Sequence, residues 1–326
     1  MPSARGQFVA TVTGNVALCD EHYRLTLRLP AFPPTRPGQF VQVAGRNLDS
    51  VGQAEGRVIE WDDVRPVRLT EPEVTAPVPV LRRPFSLAGR RDVDGGVELL
   101  LIHRVVGVAT DWLSRLAVGD KVHLLGPLGN TFAPPAEDGL AVLVGGGVGI
   151  PPMLYLAEAL AGRPAVAFAG ALRRGLLPLT TTDDAPAPGP GDFTGRHNVA
   201  EFARHGIPAV ISTDDGSYGF RGFVTQALER YLDAYVTDRA DRARAVVYTC
   251  GPEPMMKRVA DIAARRDVAC QVAVERAMAC GMGTCQSCCI RVRKPDPAKP
   301  PLPGSDWCYR LACTDGPVFA GRELLW

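Results

Sequence analysis

The sequence predicts a multidomain chain: an antiparallel β-barrel, then an α/β domain on a parallel sheet, then a small cysteine-dense module. Three observations predict it. Apolar and polar residues alternate up to about Pro135, continuous apolar runs alternate with helical patterns from Leu140, and cysteines crowd the carboxyl end. A chain of 326 residues exceeds one ordinary core, and the expected divisions are 1–137, 138–266 and 267–326.

The barrel rests on the period of two. Phe8, Ala10 and Val12 alternate with polar neighbours, as do Tyr23, Leu25, Leu27 and Leu29, the pattern of a sheet with one buried face. Pro37-Gly38, Gly95-Gly96 and Gly126-Pro127 punctuate these runs as turns. The stretch 46–79 is polar and aperiodic, which suggests an inserted excursion.

The α/β domain begins at Leu140–Val144, an apolar run of the kind buried on both faces, which meets Gly145-Gly146-Gly147-Val148-Gly149. Ile150-Pro151-Pro152 then opens a helix, because proline is tolerated in a first turn. Strand-like runs at Ala165–Ala169, Ala209–Ser212 and Ala245–Thr249 alternate with helical patterns, one of which places Val224, Leu228, Tyr231 and Tyr235 on a single face.

The bulk composition narrows the function. Lysine and arginine total 36 against 35 acidic residues, so no global attraction to nucleic acid or anionic lipid is expected. Neither a signal peptide nor an apolar run long enough to span a membrane is present, and the expected location is cytoplasmic. Nine cysteines in a reducing compartment argue against a disulfide framework and for a metal or redox role.

Six of those cysteines lie between Cys280 and Cys313. Cys280, Cys285 and Cys288 have the four-then-two spacing associated with plant-type [2Fe-2S] clusters, with a fourth thiolate supplied from further along. Thiolates are soft anionic ligands that suit iron, and the intervening glycines let backbone amides approach the sulfurs. The alternative is a four-cysteine zinc site, which ordinarily uses closer pairs. Cys289 reads as structural. Spacing alone leaves both Cys308 and Cys313 open as the fourth ligand.

Two further constellations suit nucleotide cofactors. In Arg82-Arg83-Pro84-Phe85-Ser86-Leu87 an arginine can neutralise a diphosphate while the strand and the serine hydroxyl bond a flavin edge. Downstream, Ile102-His103-Arg104 leads to Gly107, which permits close approach, and to Ala109 and Thr110, where a helix is expected over Thr110–Leu116. His103 alone reads more simply as a strand histidine than as a base. The cluster Gly145, Gly146, Gly147 and Gly149 would hold a nicotinamide dinucleotide's pyrophosphate, although it departs from the usual fingerprint. Asp214-Asp215-Gly216 and Cys250-Gly251-Pro252 follow expected strands and so belong to the sheet's ligand-binding edge.

Flavin barrel, nicotinamide domain and cysteine module, in this order, resemble the ferredoxin-reductase family. Within it the chain is most similar to the electron-transfer subunits of bacterial heteromeric dihydroorotate dehydrogenases. The resemblance rests on Arg82–Leu87, Gly126–Asn130, Val144–Pro152, Ser212–Ser217, Thr249–Pro254, Ala279–Cys288 and Cys313–Phe319. It implies FAD at Arg83, Pro84, Phe85, Ser86, Ile102, His103, Arg104, Ala109 and Thr110, with Ala109 standing where the family has glycine, and Gly107 joins that site from its own reading. The glycine cluster with Asp215, Cys250 and Gly251 is the expected NAD site, and the match around Cys313 implies a [2Fe-2S] cluster on Cys280, Cys285, Cys288 and Cys313. A long insertion at 293–305 keeps Cys308 as the alternative, and further insertions fall at 46–79 and 181–196. The implied activity passes electrons between NAD and the FMN of a catalytic dihydroorotate dehydrogenase subunit, in a heterotetramer of two of each, with no catalytic acid or base on this chain. A reductase subunit serving a sulfide dehydrogenase, hydrogenase or oxygenase is the rival, because fold does not fix function.

Overall fold

A computed structural model describes residues 5–48, 81–182, 188–293 and 306–326. The expected insertions at 46–79, 181–196 and 293–305 therefore lie largely or partly outside the described residues.

Among the described residues, the first sheet has seven antiparallel strands. They are β1 (Gly6–Cys19), β2 (His22–Leu29), β3 (Phe40–Val43), β4 (Arg83–Ser86), β5 (Gly89–Val93), β6 (Gly96–Arg104) and β7 (Lys121–Leu128). Their order is β4-β3-β7-β1-β2-β6-β5, so the sheet curls without the ladder closing between β4 and β5. The alternation expected from the sequence is what buries its inner face: Ala10, Val12, Leu25 and Leu27 are 0% exposed. Val41, Val43 and Leu124 fill the same core from the other strands. The short helix after β6 runs Val108–Ser114, two residues earlier than expected. Gly107 caps it, and the Thr110 hydroxyl accepts from the amides of Val106 and Gly107 at 2.9 and 3.1 Å.

The second sheet contains β8 (Ala141–Gly146), β9 (Ala165–Ala171), β10 (Ala209–Thr213), β11 (Phe220–Arg221), β12 (Val246–Cys250) and β13 (Ala269–Ala273). Three short strands follow: β14 (Cys289–Val292), β15 (Cys308–Leu311) and β16 (Val318–Ala320), before β17 (Leu324–Leu325) ends the chain. The order β11-β10-β9-β8-β12-β13-β16 is parallel apart from the last pair. The chain moves outward from β8 to β11 and then returns to the far side of β8, which makes the β8–β12 boundary a topological switch point. β8 is buried at every residue, as its continuous apolar run requires. The helix Ile150–Ala159 starts on Ile150 with its prolines in the first turn.

β13 and β16 correct the sequence division at 266. Both lie beyond it, yet β13 pairs in parallel with β12 and β16 closes the edge of the same sheet. The run Ala269-Cys270-Gln271-Val272-Ala273 is short and interrupted by glutamine, which hides its strand character. Gln271 is accounted for locally, since its side chain accepts from the Ala133 amide and donates to the Ala133 carbonyl. β14, β15 and β17 form a separate three-stranded sheet among the described residues. A separate apolar core, containing Phe40, Leu128, Met278, Cys288, Ile290 and Cys313, joins this carboxyl-terminal part to the curled sheet.

No helix among the described residues is long and apolar enough to cross a membrane.

Candidate functional site

A cleft of ≈ 1350 Å³ opens between the curled sheet and the carboxyl ends of the parallel strands. All the residues expected to meet a flavin line it: Arg83 to Ser86 on β4, Ile102 to Arg104 at the end of β6, and Gly107, Ala109 and Thr110 beyond. Antiparallel pairing of β4 with β3 and the short turn after β6 bring these two segments, far apart in sequence, onto one wall.

That wall carries charge at its rim and neutral polar groups in its depth. Arg83 is exposed, with its guanidinium donating to the Leu81 carbonyl at 2.9 Å. Arg104 is held by Glu21 at 2.7 Å. His103 is 2% exposed and stacks on Tyr23 at 5.8 Å between ring centroids. Burial, with a smaller effect from His22, pushes its pKa down to about 4, so the ring is neutral near pH 7. Neither of its ring nitrogens has a hydrogen-bond partner. Buried polar atoms are ordinarily paired. The polar edge of a ring such as a flavin's fits these orphaned nitrogens.

The opposite wall is the sheet edge. Gly146 ends β8 and Gly147 follows it, Asp214 follows β10 and Pro252 lies just past β12, and all four line the cleft. Gly147, at φ 53°, has open space where a side chain would stand. Other expected dinucleotide residues lie outside the lining, for identifiable reasons. Gly145 and Gly149 pack against backbone, where a Cβ would collide with Ile150 and with Cys250 respectively. Cys250 is 3% exposed, and burial pushes its thiol far above the ordinary range, as expected of a core residue. Gly251 is folded against Gly146 and Met255. Asp215 is turned to solvent and serves the turn: it accepts from the Ser217 amide at 2.9 Å, and hydrogen bonds from Ser217 hold its carboxyl below the usual range.

Sequence reasoning missed the segment after β13. Val274 to Met278 line the cleft, and burial raises the pKa of the Glu275 carboxyl. Arg276 pairs with Glu253. Recognising β13 would have revealed them, because residues just past the carboxyl end of a parallel strand face the ligand crevice.

The cysteine loop lies beside this end of the cleft. Gly281 and Gly283 adopt φ of 70° and 86°, and Gln286 58°. These left-handed turns fold the loop so that the amides of Met282 and Cys285 donate to Cys280 Sγ at 3.3 and 3.4 Å. Such amides stabilise thiolate charge. Hydrogen bonding from Ser287, its hydroxyl 3.2 Å away, lowers the exposed Cys285 thiol to about 6. Cys288 and Cys313 are each 1% exposed in the shared apolar core. Burial pushes Cys313 up to about 12, reinforced by its hydrogen bond to Cys288 and by its proximity to Cys280. Cys313 thus sits with Cys288 and Cys280. Cys308 is built into β15 opposite Val292. Among the described residues, no group of three or more His, Cys, Asp or Glu side chains is drawn together to hold one metal ion. Four thiolates, three of them in the four-then-two spacing at Cys280, Cys285 and Cys288, are the donor set of a two-iron cluster.

Phe40 and Met278 connect the two places. Both line the cleft, and both pack in the core that contains Cys288 and Cys313.

Comparison with known proteins agrees with this arrangement. Residues 275–325 match the family model described as the iron-sulfur cluster binding domain of dihydroorotate dehydrogenase B. The chain is 36% identical over 250 residues to the dihydroorotate dehydrogenase B (NAD(+)) electron transfer subunit of Geobacillus thermodenitrificans, covering 76% of this chain and 81% of that one. It is 28% identical to the subunit of the same name from Caldanaerobacter subterraneus, over 98% of this chain and 99% of the other. Its fold resembles the solved NADH-dependent reduced ferredoxin-NADP oxidoreductase, with a TM-score of 0.65 at 24% identity over 97% of this chain and 90% of the other.

Proposed function

The chain belongs to the family of dihydroorotate dehydrogenase B electron transfer subunits, and on that premise we propose how its residues divide the work. Its function is to pass electrons between NAD and a catalytic dihydroorotate dehydrogenase subunit in pyrimidine biosynthesis, through FAD and a [2Fe-2S] cluster. When bound, these groups supply the conversion between the two-electron chemistry of nicotinamide and single-electron transfer to the partner's FMN.

The protein's own residues bind, orient and exclude water. Arg83 would neutralise the flavin's diphosphate, the β4 backbone and Ser86 would offer hydrogen bonds to the ring edge, and His103 would supply a neutral polar group in the same wall. Gly147 lets the dinucleotide's pyrophosphate approach the turn after β8, and Pro252 with Glu275 closes the facing side. Cys280, Cys285, Cys288 and Cys313 hold the cluster. The pyrimidine site belongs to the partner, the assembly contains two copies of each subunit, and the complex works in the cytoplasm.

The observation that carries this reading is the shared wall formed by Phe40 and Met278, which sets the flavin cleft one layer of side chains from the cysteine loop. The test combines the purified chain with a catalytic dihydroorotate dehydrogenase subunit and follows NAD-linked orotate turnover, alongside flavin, iron and sulfide analysis. Turnover that requires both chains is expected. A chain that binds flavin and iron yet supports no turnover with any such partner overturns the proposal.

A further inference from the structure

We propose that the side-chain amide of Gln42 donates a hydrogen bond to the anionic sulfur of the iron-sulfur centre and thereby raises its reduction potential. The inference rests on the reading of Cys280, Cys285, Cys288 and Cys313 as cluster ligands.

Gln42 is 0% exposed, and neither its amide nitrogen nor its oxygen has a hydrogen-bond partner. A buried carboxamide without partners is unfavourable, and an apolar residue would fill the same space at lower cost. Its neighbours in β3, Val41 and Val43, point into the core of the curled sheet. Gln42 takes the other face, together with Phe40, which packs in the core of Cys288 and Cys313. There it meets the cysteine loop directly. A methyl group on Gly281 would come 2.9 Å from the Gln42 amide carbon and 3.0 Å from Nε2.

Gly281 directly follows Cys280, so the orphaned amide stands against the first cluster-binding turn. Gln42 does not line the flavin cleft, which leaves the cysteine side as the source of its partner. Thiolate and sulfide are anionic acceptors, and the centre gains a further negative charge on reduction. A donor held in a buried setting therefore favours the reduced form. Gln42 also pairs across the sheet with Pro84 of the flavin-binding strand, so one short strand bears on both redox groups.

The test is an electron-paramagnetic-resonance redox titration of the complex with its catalytic partner, comparing wild type, Gln42→Leu and Gln42→Glu. Removing the donor should lower the reduced-to-oxidised ratio of the cluster at a fixed ambient potential about tenfold, or about 59 mV for one electron. Gln42→Glu, of the same shape but anionic, should lower it further. Wild-type protein carrying ¹⁵N in its glutamine side chains should show a nitrogen hyperfine coupling on the reduced cluster, a readout independent of whether the variants assemble. Unchanged potentials, or no such coupling in wild type, overturn the inference while leaving the cysteine assignment standing. Wild type without iron and sulfide overturns both.

Discussion

Gly149 and Cys250 meet backbone to backbone: a Cβ on Gly149 would fall well inside contact distance of the Cys250 carbonyl. The contact locks the turn after β8 to the carboxyl end of β12, across the topological switch point. Gly147, two residues earlier, faces open space at φ 53°. Alanine at Gly149 must displace main chain and should cost about 3 kcal/mol, the upper range for overpacking. Alanine at Gly147 should cost only the left-handed backbone penalty, about 1 kcal/mol. Thermal unfolding midpoints of the two variants will rank them, and equal midpoints would contradict this division of roles.

The fourth cluster ligand separates just as cleanly. Cys313 stands with Cys288 and Cys280, whereas Cys308 belongs to the β15 ladder. Cys313→Ser should lose the cluster's visible absorption and its iron and sulfide, and Cys308→Ser should retain them. The reverse pattern would return Cys308 to the ligand set.

Much of this was legible in the sequence because a single periodicity decides it. Leu25, Leu27 and Leu29 alternate over a sheet with one wet face, and Leu140–Val144 runs unbroken through a sheet covered on both. That Arg83–Ser86 and Ile102–Arg104 belong to one cleft was legible for a different reason: their side chains have the chemistry that suits a diphosphate and a ring edge. The glycines were less informative. Gly145, Gly147 and Gly149 look alike in the sequence, but whether each admits a ligand or a neighbouring backbone depends on β12, about a hundred residues later. β13 escaped because an alanine- and glutamine-containing run gains its strand character only from pairing with β12. Glu275 and Met278 were lost with it. Gln42 gave no signal, since a glutamine in a strand is ordinary until its burial is known.

Arg83 is the exposed cation at the rim of the flavin wall. Replacing it with alanine removes a charge-assisted contact worth about 1.5–3 kcal/mol, or about 10- to 100-fold in FAD affinity. Lysine should restore part of this, since it keeps the charge and loses the planar fork. Flavin fluorescence titrations at low and high salt will measure both effects. An alanine variant that binds FAD as tightly as wild type would place the diphosphate elsewhere.

His103 makes the stability of the flavin-free chain depend on pH in a defined window. Burial lowers its folded pKa from the ordinary 6.5 to about 4, so in that interval the unfolded chain binds the extra proton and the folded chain does not. Stability is therefore fully present above about pH 6.5, falls as the pH drops toward 4, and levels off below. The whole excursion for a group this deeply buried is on the order of 3 kcal/mol. His22, whose pKa burial also lowers, acts in the same direction. His103→Gln keeps a polar side chain that does not titrate, and should make the profile between pH 4 and 6.5 shallower than wild type, leaving the part due to His22 and His205, which act in the same direction, and to the raised carboxyls of Glu158 and Glu275, which oppose it. Denaturant unfolding at intervals across that range measures the difference. A wild-type profile no steeper than the variant's would mean that the imidazole is protonated in the fold and that the cleft is wetter than its buried, unpartnered nitrogens imply.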